Sequence, residues 1–239
     1  MSRVAILVDG GYFMRRLPAV QPRIDTGDPT TASTAVKRLV TSHLKRINKI
    51  ARLPHSRSLL YRAFYYDAAP YLEKGHRPIS GRGIDYSKTD IAKFQLALHE
   101  NLRRTSNMAV RLGELRRDTE SLWELKPRVL KSLQSGRRDF SDLTDDDFRP
   151  TFRQKAVDMR IGLDIASITL KGQADTIVLV AGDADFVPAA KLARREGLKI
   201  ILDPLWQKVG ADLFEHIDGV YSGFPNPKRD LQKNGEADQ

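Results

Sequence analysis

The chain contains no cysteine. That absence excludes a disulfide framework, a thiolate metal site and a thiol nucleophile, so any catalysis must come from oxygen and nitrogen groups. Long hydrophobic runs are also missing. No segment approaches the roughly 18 consecutive apolar residues that would span a bilayer, and the N-terminal residues do not lead through a charged region into a cleavable apolar stretch. The expectation is a cytoplasmic protein that does not engage a membrane. Gly10-Gly11 lacks the spacing of a dinucleotide fingerprint, and no Gly-Lys-Ser/Thr phosphate loop is present, which sets aside cofactor and nucleotide folds of those types. The five histidines, His43, His55, His76, His99 and His216, form no triad or metal motif with their neighbours and are read as structural or surface groups. Negative charge is short: 30 Asp and Glu stand against 40 Lys and Arg, a formal charge of +10.

What is present fits a globular protein with one substantial core: 239 residues, 41% of them hydrophobic and 29% charged. The expected organisation is one domain over residues 1–224, with an insertion or extension within about 68–150, and a disordered tail at 225–239. A basic excess favours polyanions, nucleic acid above all, although a well-solvated basic surface produces the same total. The distribution favours the former. Lys and Arg crowd into Lys37 to Arg62 and Arg103 to Arg138, whereas Asp142 to Asp147 is an acidic run.

Along the chain, Val4 to Val8 is a continuous apolar run, the pattern of a strand buried on both faces, and it stops at Asp9-Gly10-Gly11. A loop is predicted from Pro18 to Thr31 and a basic amphipathic helix from Ala35 to Ile50. A second strand from Leu59 to Tyr66 stops at Asp67. A helix over Thr89 to Arg104 and a short strand near Met108 to Leu112 lie within the less regular stretch that follows. From Thr151 the pattern sharpens: a helix through Leu170, a strand Thr176 to Ala181, a turn at Gly182 to Phe186, a helix Pro188 to Glu196, then a strand Leu198 to Leu202 broken by Asp203-Pro204. Strand, helix and strand again predict a parallel sheet with helices on both faces.

In such a sheet the ligand site lies outside the carboxyl ends of the strands. Asp9, Asp67, Asp183 and Asp203 each follow an apolar strand, so four carboxylates are expected at one edge. An aspartate in this position is also a common turn former and helix N-cap, but several like charges close together call for a shared cation or proton. Asp183 and Asp185, one residue apart on a glycine-preceded turn, can both reach a divalent cation, and an all-oxygen donor set suits Mg²⁺ or Mn²⁺; Asp185 can instead cap the helix that follows. Asp158 and Asp164 flank the apolar stripe Val157, Ile161, Ile168, where each needs a partner, either a cation or one of Arg153, Lys155 and Arg160.

Three segments in order, Val4 to Phe13, Gln154 to Asp158 and Leu179 to Pro188, resemble the NYN domain family, in its LabA-like group within the PIN-like nuclease superfamily. The resemblance implies an α/β fold, a three-layer α/β/α PIN-like arrangement with a central mostly parallel sheet, and metal-dependent cleavage of phosphodiester bonds, usually in RNA. Asp9, Asp158 in the Lys-x-x-Asp motif, and Asp183 take the positions of the metal-binding catalytic acids. Asp185 matches the second acid of the Gly-Asp-x-Asp-Phe turn, and Asp164 a further acid of many members. Where many relatives carry an asparagine near the first Asp, this chain has Gly11-Tyr12.

The implied activity is a Mg²⁺- or Mn²⁺-dependent ribonuclease with nucleic acid, RNA, as its partner. Tyr12 or Phe13 would offer a stacking surface, Lys155 would approach a phosphate, and Arg15, Arg16, Arg82, Lys88 and Arg153 would hold the strand. Two other readings compete. One is a non-catalytic nucleic-acid-binding regulatory protein that keeps the fold; the other is a phosphatase of the haloacid dehalogenase type, whose paired acids Asp183-x-Asp185 resembles, although that pair normally follows the first strand.

Overall fold

A computed structural model describes residues 3–51, 59–118 and 120–227. Seven strands form the central sheet, in the order β11-β10-β9-β1-β2-β5-β8. They are β1 (Val4–Asp9), β2 (Leu60–Ala68), β5 (Met108–Arg117), β8 (Phe152–Lys155), β9 (Thr176–Val180), β10 (Lys199–Asp203) and β11 (Gly219–Val220). All pair in parallel except β8, which runs antiparallel to β5. Two small antiparallel hairpins, β3 (Lys74–His76) with β4 (Gly83–Asp85) and β6 (Trp123–Leu125) with β7 (Phe148–Pro150), stand apart from it.

The apolar runs of β1, β9 and β10 are buried on both faces because helices cover both. Helices α1 (Gly10–Val20), α2 (Pro29–Ala51) and α3 (Asp90–Arg103) pack Phe13, Leu17, Leu39 and Leu98 against Ile6, Val8 and Val178. On the other face α5 (Val157–Leu170), α6 (Val187–Arg195) and α7 (Ala211–Phe214) pack Ile161, Ile165 and Ala190 against Leu7, Leu179 and Leu202. Alternate residues of each strand thus serve opposite cores, which gives the expected three-layer α/β/α arrangement. A short α4 (Pro127–Gln134) lies outside these layers.

Several elements differ from expectation. The segment after Asp9 is helical through Val20, because the Asp9 side chain accepts from the Tyr12 N–H as N-cap and Phe13 and Leu17 are fully buried. The helix expected from Thr151 begins only at Val157; Phe152–Lys155 is instead an edge strand paired with Glu114–Arg117, the part of β5 that overruns β2. Within the expected extension, α3 and β5 belong to the central layers, and only residues 69–89 and 118–150 lie outside them. Most of the expected tail, 228–239, falls outside the described residues.

From β1 the chain winds outward through β2 and β5, then returns to β9 on the other side of β1 and continues to β10 and β11. The winding therefore reverses between β1 and β9, the place where an open parallel sheet leaves a crevice beyond its strand ends.

Candidate active site

Asp9 ends β1 and Asp183 follows β9, so the two aspartates flank that crevice. A cleft of about 330 Å³ opens there, bordered by Asp9, Arg15, Arg16, Asp183 and Gln207 over Tyr12 and Gly182. Asp9 is largely buried, and its Oδ1 accepts from the Tyr12 N–H at 2.9 Å. Burial pushes its carboxyl above the ordinary value; the Tyr12 N–H and the Arg15 guanidinium oppose this, and the charges of Asp158 and Asp67 add to it. Asp158, in the first turn of α5, is exposed, yet its carboxyl is also raised, by desolvation first and then by Asp183 and Asp185, with Arg15 again opposing. Asp183 caps a short turn by accepting from the Asp185 N–H at 3.1 Å, and both acids are exposed. Asp185 does not cap α6, whose N-cap is Phe186.

Asp158 thus lies between the two ends of the group, acting on Asp9 as Asp67 does and acted on by Asp183 and Asp185, while Asp9 and Asp183 border the same cleft and Arg15 opposes the shift at Asp9 and Asp158. Their donor set is entirely hard oxygen, the chemistry that suits Mg²⁺ or Mn²⁺. Their mutual repulsion is the electrostatic deficit that a divalent cation would relieve. Among the described residues, no three acidic or histidine side chains stand close enough to form a ready-made cage.

The remaining sequence candidates differ in where they lie. Asp67 and Asp203, expected at the same open edge, are buried and bonded at 2.8 Å to His99 and His43 respectively. The two histidines are structural partners that seal these acids. Asp164 lies farther along α5, accepting from the Tyr66 hydroxyl at 2.9 Å and facing Arg111 Nε at 3.3 Å. Phe13 is wholly in the core and offers no stacking face. Tyr12 is also buried; its hydroxyl donates to the Pro204 carbonyl at 2.6 Å and burial pushes it up to about 12. Its ring supports the cleft from beneath, because a Cβ on Gly182 would come within 2.4 Å of Tyr12 Cε2. Lys155 is exposed at the end of β8, three residues before Asp158. Arg82, Lys88 and Arg153 are engaged by Asp145, Asp85 and Asp118, which leaves Arg15 and Arg16 as the expected strand-holding cations that line the cleft.

Gln207 carried no sequence signal. It follows Leu205 (φ 45°) and Trp206 (φ 62°), two successive left-handed residues that are not glycine. That costly backbone is held by Tyr12, by Arg16 Nη2 donating to the Leu205 carbonyl, and by Asp203 accepting from the Leu205 N–H. A strained loop fastened by three side chains thus completes the rim.

The NYN domain model matches residues 84–209, just over half of the chain. The chain belongs to the NYN domain family. It therefore carries a PIN-like nuclease-type domain. The matched stretch includes Asp158, Asp164, Asp183 and Asp185, while Asp9 lies before it and joins them through the sheet. No curated protein matches the sequence. Among solved structures, a protein of unknown function from Vibrio parahaemolyticus is similar at 14% identity and a TM-score of 0.44, over 93% of this chain and 95% of that one. The sirtuin Sir2Tm bound to a propionylated peptide is similar at 12% identity and a TM-score of 0.33, over 98% and 93% of the two chains. Among the described residues no helix is long and apolar enough to cross a membrane.

Proposed function

We propose that this NYN domain is a cytoplasmic, Mg²⁺- or Mn²⁺-dependent ribonuclease that hydrolyses phosphodiester bonds, with Asp9, Asp158 and Asp183 as its catalytic, metal-holding acids. The observation that carries this reading is the cleft at the sheet's switch point, where Asp9 and Asp183 stand beside Arg15 and Arg16, with Asp158 close enough to act on Asp9 and to be acted on by Asp183 and Asp185. When bound, a divalent cation at these oxygens supplies charge neutralisation at the phosphate and a more acidic water. The chain's own groups do the rest. Asp9 is held by the Tyr12 N–H and Asp183 by the Asp185 N–H, so both carboxylates keep fixed directions. Arg15 and Arg16 border the same cleft and bind the scissile region of the strand. Asp185 extends the donor set. Asp164 holds α5 against β2 and β5 through Tyr66 and Arg111 and so positions Asp158. Tyr12 forms the floor beneath the substrate, and Lys155 approaches a neighbouring phosphate.

The non-catalytic alternative is a regulatory protein that keeps the fold and binds RNA without cutting it. The paired acids follow the fourth parallel strand in chain order, which is not the arrangement of a haloacid-dehalogenase-type phosphatase. The deciding experiment incubates the protein with end-labelled single-stranded RNA and the matching DNA in Mg²⁺, Mn²⁺ or EDTA, beside Asp183→Asn. Metal-dependent RNA cleavage that the variant loses is expected. RNA that is bound but left intact under every metal condition would establish the regulatory alternative.

A further inference from the structure

Between Asp28 and Asp67 the chain has eight Lys and Arg and not a single Asp or Glu. The rest of the molecule sets its other 32 basic residues against all 30 acids, so this one segment carries eight of the ten net charges. Five of the eight lie on α2, a helix of 23 residues and thus about 34 Å. Lys37, Arg38, Lys45, Arg46 and Lys49 are all exposed, along with Thr34 and Thr41. The spacing 34, 37/38, 41, 45, 49 puts four of the five and both threonines on one face, with Arg46 at its side and Leu39 and Leu44 buried beyond its edges. None of the five is ion-paired among the described residues; Arg46 lies over the Tyr221 ring. A protein that needed α2 only for packing would gain from i,i+4 acids on this face, and it has none.

Beside the stripe lies a groove of about 350 Å³, where Lys37, Thr41, Ser106 and Asn107 ring a floor that includes Leu44 and Leu60. It contains no acid. A cation, two hydroxyls and an amide around an apolar base suit a nucleotide unit, with the phosphate at Lys37 and the base on the floor. Leu60 and Asn107 mark the starts of β2 and β5, whereas Asp9 and Asp183 stand at strand ends. With about 3.3 Å per residue along the six of β1, the two sites are separated by roughly 20 Å along the strands.

We propose that the basic face of α2 and its adjoining groove form a second site, which holds the phosphate backbone of an RNA strand that extends beyond the catalytic cleft, so that the favoured substrates are long single strands. The choice of RNA as the polyanion rests on the nuclease reading above. The test measures binding of labelled RNAs of about 30 and about 4 nucleotides by anisotropy in an Asp183→Asn background, where turnover does not interfere. Replacing Lys37, Arg38, Lys45 and Lys49 by Gln, which keeps the helix propensity of α2, is expected to weaken the long RNA about tenfold or more and to shrink its advantage over the short one. The slope of log affinity against log salt should fall by about 3, roughly 0.7 for each lost contact. A Lys37→Arg, Lys45→Arg, Lys49→Arg variant should keep both. Unchanged affinity and slope in the Gln variant would overturn the proposal, as would binding of phosphatidylserine vesicles with none of RNA. Binding through α2 without cleavage by the wild type would sink the nuclease reading and leave this site standing; full cleavage of long RNA with the α2 charges removed would do the reverse.

Discussion

Gly182 is required by contact, not by backbone conformation. A methyl group there would sit 2.4 Å from Tyr12 Cε2, under the cleft, and Tyr12 cannot retreat because its hydroxyl is bound to Pro204. Gly182→Ala is therefore expected to cost about 1–3 kcal/mol of overpacking, read from urea midpoints, and to lower turnover by shifting the adjacent Asp183. Wild-type stability in the variant would contradict the contact. The carboxyls make a second prediction. Asp158 is raised above its unfolded value of 3.8 by desolvation and then by Asp183 and Asp185, and Asp9 is raised by burial. A raised carboxyl means the native state holds its proton more tightly than the unfolded chain does. Its penalty is absent below the unfolded value, grows as pH rises through the folded value, and is full above it. Asp158→Asn should thus raise Tm in EDTA at neutral pH, with the difference closing as pH falls toward 4. Mg²⁺ should then raise the Tm of the wild type more than that of the variant; a variant less stable than the wild type in EDTA would refute the repulsion.

At the scale of elements, the placement of Asp158 depends on the junction between β8 and α5. Ala156 sits there at φ 65°, a left-handed conformation that lets the chain leave the edge strand and enter the helix within one residue. Ala156→Gly should stabilise the fold by about 1 kcal/mol, measured by denaturant titration, because glycine adopts this conformation without a Cβ clash. An equal loss would mean that the alanine methyl packs there. The same junction shows why local reading misplaced the helix start. Phe152–Lys155 has no alternation of its own; it is a strand because Glu114–Arg117, far away in sequence, offers an unpaired edge. Gly10 and Gly11 likewise argue for a turn by propensity, whereas the Asp9 cap and the buried Phe13 and Leu17 make a helix. Gly10 has a packing reason to be there, since a Cβ would meet Tyr65 Cζ at 2.5 Å.

Across the whole molecule, two buried His–Asp bonds pin the α1–α3 layer to the strand ends that flank the cleft: His43 of α2 to Asp203 of β10, and His99 of α3 to Asp67 of β2. Removing one partner strands a buried carboxylate. His99→Leu is expected to cost about 3–5 kcal/mol, and the double change with Asp67→Leu to recover much of it, both by chemical denaturation. A double variant as unstable as the single one would show that packing, not pairing, holds α3. Apolar runs, turn residues and charge clusters are local properties of the chain, so the layered α/β architecture, the strand ends at Asp9 and Asp183 and the segregation of positive charge into α2 were all legible in the amino-acid order. Which carboxylates border the cleft follows instead from packing between distant segments. Asp67 and Asp203 follow their strands much as Asp9 and Asp183 do, but histidines 32 and 160 residues away reach them and close them off. No local pattern carries that information, since such a contact exists only once the helical layer has packed on the sheet.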